Sequence, residues 1–344
     1  MGKRNFSMQA YWMNKIKDYE PILSFKGSTQ EDWEGWYKQA HPKYLELLGE
    51  FPEKVALKAE VEYSIEEDDL IRERVVFDSE AFMSVPCQVL RPKKMKNDGT
   101  NAAIICSHGH GKFGKDTVAG MKSSPEYKHD IALMNYNYAE QMAKAGYLTL
   151  SPDLRGFGER RDGLDPFPGR DACNVNFIKG ALLGIYTLTL NIWDIKCCID
   201  YLETRPEVDT NRIGMMGLSQ GGTMTTFAAA ADKRIKAADI SGYVNSWEGF
   251  AIERGNFCGS QMLPNIFRFL DVDDIAGLIA PRPLLIEMGI YDDCMFIQDL
   301  LKGYEGVEEI YKAAGAEDKL WKDVGPNGHA FLGNKAFDFF KKNL

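Results

Sequence analysis

The 344-residue chain has no run of about twenty apolar residues, so no segment reads as a membrane span. Its first residues, Met1-Gly2-Lys3-Arg4-Asn5-Phe6-Ser7, carry basic charge without an apolar stretch behind it. We therefore expect no secretory signal and a cytoplasmic location. Histidine is scarce, with five residues and no HExxH pair, which argues against a zinc protease of that type. No long basic run occurs. Lys and Arg total 41 against 50 Asp and Glu, a net charge of −9, and a nucleic-acid interface would need the opposite balance. The seven cysteines are odd in number and lack a CxxC motif, and Cys197 and Cys198 are adjacent. That spacing excludes a disulfide framework or a zinc ribbon, so we expect buried or half-buried thiols in a reducing compartment.

What is present describes a globular enzyme. Apolar residues make up 44% and charged residues 26%, enough to bury a large core. The length allows one large α/β domain or two ordinary ones. Residues 1–60 read as an N-terminal helical extension. Ser28 and Glu31 fit a capping box, and Trp33, Tyr37, Ala40, Tyr44 and Leu48 follow at helical spacing. Pro42 is expected to kink or restart that helix. Packed over a sheet edge, this helix would be purely structural; its aromatics would otherwise roof a pocket or form a dimer contact.

Residues 61–344 read as one α/β unit. Strands are expected at 61–65, 74–77 and 84–90, the last two antiparallel, and then at 102–106, 147–150, 212–216, 236–240 and 283–287. Between Ile185 and Leu202 apolar residues recur at alternating three- and four-residue steps, which makes one helical stripe. Apolar strands alternating with helices predict a mostly parallel central sheet flanked by helices. Ligand sites in such sheets lie beyond the carboxyl ends of the strands. Two connections are too long to be simple links, at about 112–135 and 245–281, and read as lid-like insertions.

The sharpest motif is Gly217-Leu218-Ser219-Gln220-Gly221-Gly222, between an apolar strand and the helix-forming run Thr223 to Ala231. G-x-S-x-G in that setting is a nucleophile elbow. The serine sits at the tip of a strained turn, and the positions two before and two after it admit no side chain. A serine hydroxyl needs a base to take its proton. His41, His108, His110 and His129 all precede Ser219; His329 alone follows it, in a Gly- and Asn-rich loop. Sheet-based hydrolases run serine, acid, histidine, which selects His329. The acid then falls after the strand at 284–287, where Asp292, Asp293 and Glu287 are candidates. Two backbone donors should hold the oxyanion: the N–H of Gln220 and that of His110 in the loop His108-Gly109-His110-Gly111. Trp247, Phe250 and Phe257, in the 245–281 insertion, are candidates to line an apolar acyl or alcohol pocket.

These motifs resemble the α/β-hydrolase fold in its dienelactone-hydrolase-like and acetyl-xylan-esterase-like branch. The resemblance rests on His108 to Gly111, on Asp153-Leu154-Arg155-Gly156-Phe157-Gly158, on Gly217 to Gly222, on Ala280 to Glu287 and on Gly328-His329. It spans roughly residues 75 to 344. It implies a serine esterase on small acyl esters that needs neither metal nor cofactor. The family pattern Gly-x-x-Asp matches Gly289-Ile290-Tyr291-Asp292 and so implies Asp292 as the acid. Three departures stand out. Phe157 replaces the Gln of the acetyl-xylan deacetylases, Ala330 follows the histidine where Glu is common, and Ser219 replaces the cysteine of dienelactone hydrolases proper. Arg155 is expected to be a structural ion-pair residue.

The expected activity is hydrolysis of short-chain acyl esters, acetylated or aromatic-acyl sugars included, through an acyl-enzyme. The partner is a small-molecule ester, with no nucleic acid and no membrane, and the protein is a monomer or a homo-oligomer such as a dimer. Two alternatives are a prolyl-oligopeptidase-like peptidase, which would call for a propeller domain, and a non-catalytic ligand-binding module on the same fold.

Overall fold

The computed structural model describes residues 4–162 and 172–344. Three antiparallel strands come first: β1 (Glu60–Glu67), β2 (Leu70–Glu80) and β3 (Met83–Pro92). Six strands of one direction follow: β4 (Asn101–Ser107), β5 (Leu148–Pro152), β6 (Val208–Leu218), β7 (Ile235–Ser241), β8 (Leu284–Gly289) and β9 (Leu320–Gly325). Together they form one nine-stranded sheet in the order β1-β2-β3-β5-β4-β6-β7-β8-β9, with β3 antiparallel to β5. The predicted strands are all there, most of them longer by a few residues. β9 is the strand missed by sequence reading. It is an edge strand whose Lys322 and Asp323 break the apolar run.

The central strands are apolar on both faces because each face carries its own core. Ala103 and Ile105 of β4 and Met215 of β6 join the cluster that contains Leu188, Ile192, Ile195, Ile199 and Leu202. These five residues form the stripe of helix Thr187–Glu203. Ile104, Cys106, Met216 and Leu218 point the other way, toward Phe339 and Phe340 of the C-terminal helix Ala336–Asn343. Alternate residues of one strand thus feed opposite cores, as the two-residue period of a strand requires.

The N-terminal extension contains helices Met8–Ile16 and Gln30–Leu48. The capping box is one residue later than expected, with Thr29 and Asp32. Thr29 Oγ1 accepts the Asp32 N–H while the Asp32 carboxylate accepts the Thr29 N–H. Pro42 lies inside the second helix, which continues through it to Leu48. The buried stripe is Trp36, Ala40, Tyr44 and Leu48, with Trp33 and Tyr37 only partly covered. This face packs on helix Gln220–Ala231 and not over a sheet edge: Tyr44 donates to the Phe227 carbonyl and the His41 ring meets that of Ala230. Among the described residues, no helix is long and apolar enough to cross a membrane.

Candidate active site

β6 ends at Leu218 and a helix begins at Gln220, so Ser219 is the whole turn between them. Its φ of 62° and ψ of −117° are a strained conformation for a residue with a side chain. Backbone crowding explains the flanking glycines. A Cβ at Gly217 would lie 2.5 Å from the Gly221 carbonyl carbon, and one at Gly221 would lie 2.1 Å from the Ser107 oxygen. Both contacts are with backbone that cannot swing aside. The turn is pinned by the Ser219 N–H, which donates to the Ser241 carbonyl at 3.0 Å.

The loop after β8 carries Asp292 and the loop after β9 carries His329. Asp292 Oδ2 lies 2.8 Å from His329 Nδ1, and its Oδ1 accepts the N–H groups of Cys294 and Met295 at 2.8 and 2.7 Å. The other two acids stand elsewhere. Asp293 is exposed. Glu287 is buried in β8 and accepts the N–H groups of Leu332 and Gly333, tying the His329 loop to the sheet. Burial pushes the Glu287 carboxyl up to about 7.

Ser219 and His329 line one cavity of about 460 Å³. Among the described residues no hydrogen bond joins the Ser219 hydroxyl to the His329 ring. Such contacts commonly tighten only when substrate is bound. His110 lines the same cavity. No acceptor among the described residues takes the backbone N–H of His110 or of Gln220, so both donors remain available. The His110 loop is held by Tyr136, whose hydroxyl accepts the Gly109 N–H. His108 is buried and structural: its Nε2 accepts the Leu154 N–H at 3.0 Å, and burial lowers its proton affinity.

Residues of the 245–281 insertion, Phe250 and Phe257 among them, line the cavity. Trp247 does not line it. It is the first residue of a π-helical turn, Trp247–Glu253, and faces the protein core, with its backbone N–H donating to Asp271 Oδ1. Met134, of the 112–135 insertion, also lines the cavity. Sequence reading missed Tyr136, Cys258, Gln261 and Cys294, which carry no motif and reach the cavity only through folding. Cys258 is unusual among them: hydrogen bonds with Cys173 and then with His110 pull its thiol down to about 5. Arg155 is an ion-pair residue, bound to Asp194 and Glu80 outside this cavity.

Residues 129–247, which include the nucleophile turn, match the model of the dienelactone hydrolase family. The chain is 26% identical over 305 residues to "Putative hydrolase YtaP" of Bacillus subtilis (strain 168), covering 87% of this chain and 96% of that one. Its structure is similar to that of a "putative acetyl xylan esterase" from Bacteroides fragilis NCTC 9343, with a TM-score of 0.76 at 19% identity, covering 94% and 83% of the two chains. It is also similar to a glucuronoyl esterase from Solibacter usitatus, with a TM-score of 0.67 at 15% identity, covering 94% and 97%. By its sheet and its nucleophile turn the chain has the α/β-hydrolase fold, and within it residues 129–247 are similar to the dienelactone hydrolase family.

Proposed function

We propose that the protein is a serine carboxylesterase acting on short-chain acyl esters, with esterified sugars as the favoured substrate class. The observation that carries this reading is the meeting of Ser219 and His329 in one cavity, with His329 Nδ1 held by Asp292. In this reading Ser219 Oγ attacks the ester carbonyl while His329 Nε2 takes its proton. Asp292 holds the ring in the tautomer that leaves Nε2 free to accept and stabilises the imidazolium that forms. The N–H groups of His110 and Gln220 receive the oxyanion, and His329 returns the proton to the departing alcohol. Water, activated by the same imidazole, then releases the acid and restores Ser219. The two aromatic rings over a cavity of about 460 Å³ suit a small acyl group or a sugar ring. The structural neighbours named as acetyl xylan and glucuronoyl esterases support the sugar-ester class.

The test is a panel of p-nitrophenyl esters from acetate to octanoate together with acetylated xylan and a glucuronoyl methyl ester. A fluorophosphonate probe is run alongside. We expect rates to fall with acyl length and the probe to label wild type but not Ser219→Ala. A folded wild-type protein that neither turns over these esters nor takes the probe would favour a binding module.

A further inference from the structure

We propose that Cys173, Cys258 and His110 form a binding site for one soft divalent cation of the zinc class, in the wall of the cavity that holds Ser219. The two thiol sulfurs and a ring nitrogen of His110 lie within 4.8 Å of one another. His110 Nε2 is 2.9 Å from Cys258 Sγ, which in turn lies 2.8 Å from Ser260 Oγ. A tetrahedral zinc ion places such ligand atoms roughly 3.5–3.8 Å apart, as its bond lengths require, so shifts of about 1 Å or less would seat it. Two sulfurs and one imidazole are the donor set of a soft ion; magnesium and calcium need oxygen.

The two thiol-bearing segments are also held together by contacts that do not involve the thiols. Asn174 Oδ1 accepts the Gly259 N–H at 2.8 Å, joining the neighbour of Cys173 to the neighbour of Cys258. Gly259 also sits directly beneath Phe177 of the Cys173 helix, where a Cβ would come within 2.1 Å of that side chain. The geometry is therefore set before any ion arrives. Access is also provided. Both cysteines are buried, while His110 is exposed and lines the Ser219 cavity as well as a smaller adjoining one of about 100 Å³, which Cys173 also lines. Binding forms two metal–sulfur bonds and one metal–nitrogen bond and releases the thiol protons to solvent.

The ion would also act as a brake. His110 supplies an oxyanion donor from its backbone in the function proposed above, and ligation of its ring would shift that N–H from its place. This second half rests on the esterase reading; the binding itself does not.

The full-length, reduced, metal-free protein is titrated with Co²⁺ and then with Zn²⁺. We expect one equivalent of Co²⁺ to give a thiolate-to-cobalt charge-transfer band that Zn²⁺ abolishes. The band should be lost in Cys173→Ser and in Cys258→Ser, with far-ultraviolet circular dichroism reporting folding. His110→Ala, which keeps the backbone N–H, should weaken binding if either cysteine variant fails to fold. Cys294→Ser should keep the band. The site is refuted by no band in wild type, or by a band that persists in both folded cysteine variants. Loss of the band in Cys294→Ser also refutes it, since the ion would then sit at Asp292, Cys294 and His329, the other group with suitable spacing. Ester turnover is measured in parallel. Zn²⁺ binding without loss of turnover overturns the brake, whereas absent turnover in the metal-free protein overturns the esterase reading alone.

Discussion

His329 Nδ1 stands 2.8 Å from Asp292 Oδ2, although 37 residues and a strand separate them in the chain. The carboxylate cannot turn away, because its other oxygen is occupied by two backbone N–H groups. Asp292→Asn should therefore keep the fold and lose about ten-thousandfold in kcat, by favouring the wrong imidazole tautomer. Asp293→Asn, at an exposed position, should stay near wild type. The reverse ranking in steady-state kinetics would move the acid by one residue.

Ser219→Ala and His329→Ala should each cost about a millionfold in kcat, and the double variant little more, since the groups act as one unit. Single-variant turnover within tenfold of wild type on p-nitrophenyl acetate would remove that residue from the chemistry.

Tyr136→Phe tests the support of the oxyanion loop. Without the hydroxyl, the Gly109 N–H loses its acceptor and the neighbouring His110 N–H loses its fixed aim. We expect kcat to fall about ten- to a hundredfold with KM little changed. An unchanged kcat would show that the loop holds itself.

Gly221→Ala should destabilise the protein by about 3 kcal/mol or more, because the added methyl meets the Ser107 carbonyl and no side chain can yield. The measurement is the denaturant midpoint, with activity read on the folded fraction. A midpoint equal to wild type would mean that β4 and the turn can part at little cost.

Asp239 is buried, and among the described residues no donor bonds either carboxylate oxygen; burial, then Glu287 and Asp323, push its carboxyl well above the ordinary range. Glu287 is raised in the same way, from 4.5 to about 7. The folded protein holds these protons where the unfolded chain has released them. Their contribution is thus full below the ordinary carboxylate range and is lost as pH rises toward the folded values. The thermal midpoint should fall between pH 5 and pH 8, and Asp239→Asn should raise it more at pH 8 than at pH 5. Equal shifts at the two pH values would place the cost of Asp239 in something other than its charge.

Much of this protein is local and therefore readable from the chain alone. The nucleophile turn is a steric statement about five consecutive residues, and its glycines are where backbone crowding demands them. The mostly parallel sheet follows from hydrophobic periodicities of two and of about 3.6 residues. What only folding decided involves partners far apart in the chain. Asp292 is distinguished from Asp293 by a loop that turns one carboxylate inward to His329 and the other to solvent. Trp247 and Phe250 look alike as aromatics of one insertion and both are buried in the core, yet Phe250 also lines the cavity and Trp247 does not. Pro42 continues its helix because Trp36, Ala40, Tyr44 and Leu48 are buried along one face, which outweighs one missing N–H. The meeting of Cys173 with Cys258 and His110 has no short-range signature, since packing between distant segments is set by the whole core.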